Sequence, residues 1–447
     1  MEQLKVGYLP LVKGSWINGK QELRRAEVLK LFAGHLDAAI VEDGRIIVTE
    51  KEAAAAVEHF ERERVDALIV HFLSFALGAV VPAAAKRLGV PVIFWSEPEP
   101  PWDGGRIQKN SFCGTNCNAH ALWKMRLPYT FVYGEDESAV DEIGRKLRVA
   151  GAVKALRGLR IGSVGGRVPG FYASNYDELQ LLETFGVSTE KLTMLEVVET
   201  ARKIFADPGE PEAPVADPIP SKDIDPEERR KLKALYRAFV ETAKKYRLDA
   251  FAIRCWPEFS DLYGIGVCAL IGLLNESGYV TGCEGDMIGT LTMKLGALLA
   301  PGEVPFFCDL ISFDAEANTG VVWHCGAAPP SLCRPGCTPA FRKHSIIDGG
   351  GVKGVSCEFP LKPGRVTLMR LGEDRDGGYR LFLASGTALE TEQLLRGTPL
   401  TVRFDEEVPA LIEKIIDNGV EHHYALIHGD VAEELKLFAR WMNIAIV

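Results

Sequence analysis

Two carboxylates and a pair of histidines in the second half of the chain have the residue types and spacing best suited to catalysis. Glu284 and Asp286 stand in the segment CEGD, immediately before the apolar, helix-patterned run 287–299. An acid at a helix start is favoured by capping and by the helix dipole, so for Asp286 a capping role and a functional role stand level. Glu284 lies outside the cap between Cys283 and Gly285, and function is the better reading for it. Asp309 ends the apolar run from Val304 to Cys308, where a carboxylate buried without a partner costs several kcal/mol. It therefore needs a cation, a metal or exposure at a cleft. His324 in VVWHCG and His422-His423 in EHHYALIH bring imidazoles to strand ends, where side chains of separate strands converge. A carboxylate pair with one or two imidazoles and no cysteine is the mixed oxygen and nitrogen ligand type of manganese, cobalt or iron(II). It leaves positions open for substrate oxygens, as a catalytic site requires.

Other constellations are weaker. The glycines from Gly162 to Gly170 follow a strand, but they lack the G-x-G-x-x-G spacing of a dinucleotide loop, and Pro169 sits where the helix should begin. No G-x-x-x-x-G-K-[ST] occurs, which disfavours a P-loop nucleotide hydrolase. Asp348-Gly-Gly-Gly351 reads as a turn between strands. Cys113-x-x-x-Cys117 and Cys333-x-x-x-Cys337 have a longer spacing than the commonest zinc knuckle and lie in different expected domains, so they read as small buried hydrophobes. His35, His59 and His71 carry no partner signal and read as structural or surface residues.

The elements that must position these residues follow from hydrophobic periodicity. In the first half, short β-branched runs (KVGYLPLV, DALIV, VPVIFW, and 130–133) alternate with helical patterns over 21–35, 51–64, 78–88 and 135–154. This is the texture of a parallel sheet covered by helices. A second such domain opens at LRIGSV, continues through a helix near 176–185, and is interrupted by a stretch from Asp207 to Pro226 holding six prolines. That stretch reads as an extended surface excursion. A helix over 226–246, with proline at its start and acids in its first turn, returns the chain to a strand at 249–254. From about residue 305 short strands parted by Gly, Pro and Asp turns suggest an antiparallel sheet or small barrel, and the chain closes with HHYALIH, a helix over 431–442 and IAIV.

Length and charge bound the rest. The chain has 447 residues and a formal net charge of 51 − 61 = −10. That length supports two to four domains with full apolar cores, so structural zinc is not needed for folding. The acidic balance without a basic stripe excludes nucleic acid as the main ligand and gives no footprint for an anionic membrane. No apolar run is long enough for a membrane span, the N-terminus is too short and mixed for a signal peptide, and the ten cysteines read as reduced thiols. A cytoplasmic enzyme is expected.

The pieces together resemble the L-fucose isomerase and L-arabinose isomerase superfamily. CEGD with Glu284, FFCD with Asp309 twenty-five residues on, and HHYALIH with His423 followed by His428 repeat that family's order and spacing over roughly the last 170 residues. The resemblance implies an α/β fold of two Rossmann-like or flavodoxin-like parallel-sheet domains (1–155 and 156–300, the second carrying Glu284), followed by a C-terminal domain (301–447) with a small antiparallel β-barrel carrying Asp309 and His423. It implies Glu284, Asp309 and His423 as ligands of Mn2+, or of another divalent ion such as Co2+, with no organic cofactor. The two acids double as proton-transfer groups, and His324 falls where arabinose isomerases place a further histidine. It also implies a homo-oligomer, a hexamer in the family's usual form. FAIRCWPEF, with Arg254, Trp256 and Glu258, ends a strand of the second domain and is the expected source of sugar hydroxyl contacts. Trp95, at a strand end of the first, is a candidate wall of the cleft in the same or a neighbouring subunit.

The chemistry so implied is interconversion of an open-chain aldose and its ketose through a cis-enediol, with a base to take the C2 proton and an acid to deliver it to C1. A divalent ion on O1 and O2 would stabilise the enediolate. The expected substrate is L-fucose, D-arabinose, L-arabinose or a C6-modified hexose such as sulfoquinovose. If C6 is anionic, Arg254, Arg167 or Lys109 can receive it. The rival readings are a non-catalytic sugar-binding or regulatory protein, and a metal-dependent hydrolase or aldolase using the same ligands.

Overall fold

Apolar runs too uniform for half-exposed strands become, in the first part of the chain, strands buried on both faces. The computed structural model describes residues 3–76, 78–345 and 354–447. The chain divides into two compact units, Met1–Ala155 with Glu434–Asn443, and Leu156–Glu433 with Ile444–Val447. In the first unit β1 (Lys5–Leu11), β2 (Ala39–Val41), β3 (Ala67–Phe72), β4 (Val92–Ser96) and β5 (Tyr129–Tyr133) form a parallel sheet in the order β2-β1-β3-β4-β5. That is the flavodoxin-like doubly wound order. Its crossovers are α1 (Lys20–His35), α2 (Glu50–Glu63), α3 (Val80–Leu88) and α4 (Ser111–Lys124), and α5 (Glu137–Leu156) follows β5. Thr49 and Glu52 close a capping box at the start of α2.

A buried polar network stands at the carboxyl ends of these strands. Tyr8 Oη meets His71 Nδ1 at 2.8 Å, and His71 Nε2 meets Glu97 Oε1 at 3.1 Å. Arg24 Nε and Lys109 Nζ donate to Glu97 at 2.7 and 2.9 Å. Burial opposes ionisation of Glu97, but His71, Lys109 and Arg24 outweigh it and hold the carboxyl well below the usual range. Trp95 is fully buried: its ring stacks on His71 with centroids 4.0 Å apart, and its indole N–H donates to the Gly134 carbonyl at 2.7 Å. The expectation of Trp95 as a cleft wall is corrected accordingly, because packing and its one donor commit this side chain to the sheet.

The second unit begins with β6 (Arg160–Val164), α6 (Glu178–Phe185), β7 (Ser188–Leu192) and α7 (Met194–Ala206). It continues with α8 (Pro226–Tyr246), β8 (Ala250–Ile253), α9 (Glu258–Tyr263), α10 (Cys268–Glu276), β9 (Val280–Gly282) and α11 (Met287–Leu299). The four strands pair in parallel in the order β7-β6-β8-β9. Helix α8 starts where the sequence places it, with Pro226 in the first turn and Asp225 and Glu228 forming a capping box. The proline-rich stretch is not a mere surface excursion. Ala213, Ala216, Ile219 and Ile224 are buried, and Phe341 N donates to Pro220 O while Lys222 N donates to Phe341 O. Small apolar residues between the prolines give it a face to dock, and backbone bonding to an edge strand satisfies its free groups.

The remaining strands are β10 (Phe306–Asp314), β11 (Thr319–His324), β12 (Ala340–Lys343), β13 (Val355–Glu358), β14 (Gly364–Glu373), β15 (Tyr379–Ala388) and β16 (Thr398–Phe404). After them come α12 (Val408–Asp417), β17 (His423–His428), α13 (Ala432–Met442) and β18 (Ala445–Ile446). A mixed sheet runs β14-β17-β10-β11-β16-β15-β18, with β14 also paired to β15, and β12 and β13 form a separate pair. All of these pairings are antiparallel except β15 with β18. Both the expected second and third domains, divided near residue 300, fall within this one unit, apart from the helix segment Glu434–Asn443. The turn expected at Asp348–Gly351 lies outside the described residues. Among the described residues no helix is long and apolar enough to cross a membrane.

Candidate functional site

Parallel α/β sheets present their loops at the carboxyl ends of the strands, and crevices form where the strand order reverses. In the second unit that point lies between β6 and β8. The loop after β8 carries Arg254 and Trp256 and leads into α9 at Glu258, and the turn after the neighbouring β9 carries Glu284. Glu284 sits in the left-handed region with φ +57°, a sparsely populated conformation for a residue with a Cβ. Gly285 follows at φ +70°, and a Cβ there would lie 2.2 Å from the Gly166 carbonyl oxygen. The turn therefore runs against the loop after β6, and only glycine fits.

Strand pairing supplies the other ligand candidates. Asp309 on β10 and His423 on β17 are direct register partners in an antiparallel pair, so their side chains emerge side by side. His423 Nε2 lies 3.0 Å from Glu284 Oε2 and 4.0 Å from Asp309 Oδ1. Trp256 donates its indole N–H to the other Glu284 oxygen at 3.0 Å. His422 Nε2 stands 3.9 Å from Glu284 Oε2, and Glu284, His422 and His423 bring one ligand atom each within 4.8 Å of one another. Asp309 Oδ1 is buried and has no hydrogen-bond partner among the described residues. A buried anionic oxygen left over beside an imidazole and a second carboxylate is what a hard or borderline divalent cation requires. The residues fit such an ion.

A second set of groups fixes the imidazole. His423 Nδ1 meets Asp286 Oδ2 at 2.9 Å, and Arg370 donates to both oxygens of Asp286, at 2.6 and 3.2 Å. Asp286 also accepts the Gly289 backbone N–H at 2.7 Å as the cap of α11. The two readings of Asp286 therefore merge: one oxygen caps the helix while the other turns toward His423. A carboxylate behind a ligating histidine sets its tautomer and raises its basicity. Burial opposes ionisation of Asp286, but the Arg370 charge and His423 hold its carboxyl well below the ordinary range. For Glu284 burial is likewise outweighed, by the two neighbouring imidazoles of His422 and His423 and the Trp256 N–H. Burial pulls the His423 imidazole down, yet Asp286 and Glu284 together raise it.

The remaining expected residues divide. Arg254 forms an ion pair with Glu258, four residues on, at the end of β8. His324 is buried and turns Nδ1 to Cys325 Sγ at 3.3 Å, with its ring centroid 5.9 Å from that of Phe307, which in turn lies 4.7 Å from that of His423. Sequence reasoning missed Arg370 altogether. Its signal was present, a guanidinium inside the apolar run VTLMRL, which cannot be buried without an anion.

Comparison with known proteins places the chain in a family. Residues 10–157 match the model of the fucose/sulfoquinovose isomerase N-terminal domain, and residues 338–447 match that of the L-fucose isomerase C-terminal domain. The sulfoquinovose isomerase of Alkalicoccus urumqiensis is 34% identical over 387 residues, covering 86% of this chain and 86% of its own. That of Priestia aryabhattai is 30% identical over 452 residues, 99% of each. An L-arabinose isomerase of Tolumonas auensis is more distant, 24% identical over 96% of this chain and 92% of its own. The chain belongs to the L-fucose isomerase-like superfamily of aldose–ketose isomerases.

Proposed function

We propose that this protein is a metal-dependent sulfoquinovose isomerase, converting that C6-sulfonated aldose into its ketose through a cis-enediol. The observation that carries the reading is the convergence of Glu284, Asp309 and His423, with one Asp309 oxygen buried and unpaired. Glu284, Asp309 and His423 would hold the ion, with His422 at hand. A bound Mn2+, or Co2+, supplies Lewis-acid polarisation of the sugar carbonyl. The protein's own groups move the proton: one of Glu284 and Asp309 removes it from C2 and the other delivers it to C1. Trp256 holds one Glu284 oxygen, and Asp286 holds His423 in a single tautomer.

The relatives named for sulfoquinovose favour it over neutral sugars. Of the three cations considered for an anionic C6, Lys109 is engaged by Glu97 and Glu135 in the first unit. Arg254 and Arg167 belong to the loops after β8 and β6, beside the Glu284 turn. Arg254 Nε is buried without a hydrogen-bond partner among the described residues, and Arg167 lines a cleft with Ser163, Ser174, Asn175 and Lys191. These two guanidiniums are the proposed receivers of the sulfonate. The six-strand circuit of pairings from β14 through β17, β10, β11, β16 and β15 back to β14 supports reading the C-terminal sheet as a small barrel. A homo-oligomer, hexameric by resemblance, belongs to the same reading and is checked by mass photometry.

The deciding experiment incubates sulfoquinovose with the metal-stripped chain in D2O, with and without Mn2+, and follows it by NMR. Ketose that appears with metal and carries deuterium at C1 supports the reading. Sulfoquinovose that binds but is never converted would transfer the protein to the sugar-binding class.

A further inference from the structure

Besides the carboxylates, the second unit gathers a different set of donors. Cys268 opens α10, Cys325 follows β11, and His344 follows β12. Cys268 Sγ lies 3.1 Å from Cys325 Sγ and 3.1 Å from His344 Nε2, and the three donor atoms all lie within 4.8 Å of one another. Cys268 and His344 are buried and Cys325 is half-buried. Elements far apart in sequence thus deliver two sulfurs and one imidazole nitrogen to one point.

We infer that Cys268, Cys325 and His344 form a second metal site, selective for a thiophilic divalent cation of the zinc type and built from other residues than the Glu284 centre. Two thiolates and an imidazole are three of the four ligands of a tetrahedral zinc site. Zinc bond lengths place tetrahedral sulfur and nitrogen donors about 3.5–3.8 Å apart. The observed separations reach that spacing with side-chain movements of about half an ångström. The fourth position falls to an exogenous ligand, since Cys325 retains some exposure.

Cys268 Sγ is the common neighbour of the other two donors, so an ion entering beside it meets all three. Binding of the ion releases the thiol protons to solvent and leaves two thiolates neutralising a dication. A disulfide between the same sulfurs would need an oxidant that nothing here supplies. The donors also differ in kind: oxygen and nitrogen at Glu284, sulfur and nitrogen here, so the two sites sort hard from soft cations. A zinc ion at this point staples the start of α10 to the ends of β11 and β12.

The test titrates the reduced, metal-stripped full chain with Co2+ and reads its absorption spectrum. The expected result is a sulfur-to-cobalt charge-transfer band, which oxygen and nitrogen ligands at Glu284 cannot produce, bleached by Zn2+. Cys268→Ser and Cys325→Ser should remove it, His344→Gln should weaken Co2+ binding by about tenfold or more, and Cys113→Ser and Glu284→Gln should leave it. Should the serine variants fail to fold, the unaltered chain still decides: Zn2+ should slow alkylation of Cys268 and Cys325, mapped by mass spectrometry. No thiolate band, a band that survives both serine variants, alkylation of both thiols indifferent to Zn2+, or a Cys268–Cys325 disulfide in the freshly purified chain would each overturn the assignment.

Discussion

Nδ1 of His423 lies 2.9 Å from Oδ2 of Asp286, and that same oxygen takes a 2.6 Å hydrogen bond from Arg370. A helix cap, a buried guanidinium and the ring of a proposed metal ligand thus share one carboxylate. The arrangement couples the orientation of the imidazole to the packing of α11 against β14.

Asp286→Asn is expected to weaken Mn2+ binding by about 10- to 100-fold and to lower turnover comparably, since the amide can no longer enforce the tautomer that presents Nε2. Isothermal titration of the stripped protein with Mn2+ checks this; unchanged affinity would reduce Asp286 to a cap.

Arg370→Ala leaves the Asp286 charge buried without its main counter-ion. Breaking a buried pair in this way costs about 3–5 kcal/mol, and denaturant unfolding at neutral pH measures it. A loss below about 1 kcal/mol, the worth of a surface pair, would contradict the burial of this one.

Glu284→Gln and Asp309→Asn should each lower kcat by about 10²- to 10⁴-fold, the usual contribution of a positioned acid or base. Deuterium exchange at C2 of the aldose, followed separately from ketose formation, reports which carboxylate serves that carbon. Near-normal turnover in either variant would remove that residue from the proton transfer.

Gly285→Ala forces a Cβ to within 2.2 Å of the Gly166 carbonyl oxygen at φ +70°. The turn must shift, so both melting temperature and activity should fall together, whereas Gly209→Ala, with nothing close to its Cβ position, should change neither.

The first unit should lose stability in acid. The folded Glu97 carboxyl is held below its unfolded value, so its contribution is complete above roughly pH 5, declines as pH falls below the unfolded value and is lost only through the folded value, below the usual carboxylate range. Burial lowers His71 as well, and a histidine kept neutral also loses stability as pH falls below its unfolded value of about 6.5. Both act in the same direction. The free energy of unfolding measured from pH 7 to pH 2 should fall steadily, and Glu97→Gln should flatten the lower part of that profile.

Much of this was legible in sequence because several local signals agreed. The start of helix α8 could be read from Pro226 and the acids of its first turn, and the start of β10 from its apolar run, although the strand continues past Asp309 to Asp314. The strand β7, reading STEKL, was not legible, since its alternation is polar and its order comes from pairing with β6. Glu284, Asp309 and His423 could be picked out by residue type, spacing and family likeness. Trp256, which holds Glu284, and Arg370, which holds Asp286 behind His423, could not be joined to them, because a cross-strand or cross-loop hydrogen bond leaves no spacing in a single sequence. Trp95 misled for a related reason: a strand-end aromatic looks the same in sequence whether it lines a cleft or stacks on His71.

The pairing of Asp309 with His423 has an evolutionary corollary. Their separation is set by two hydrogen-bonded strands and not by the chain that joins them, so insertions or deletions anywhere in the loops between 315 and 422 leave the two side chains abreast. A shift of one residue within Phe306–Asp309, by contrast, would send the aspartate to the opposite side of the sheet. Relatives of very different length can therefore inherit the same pair, while the four residues ending at Asp309 tolerate no slippage.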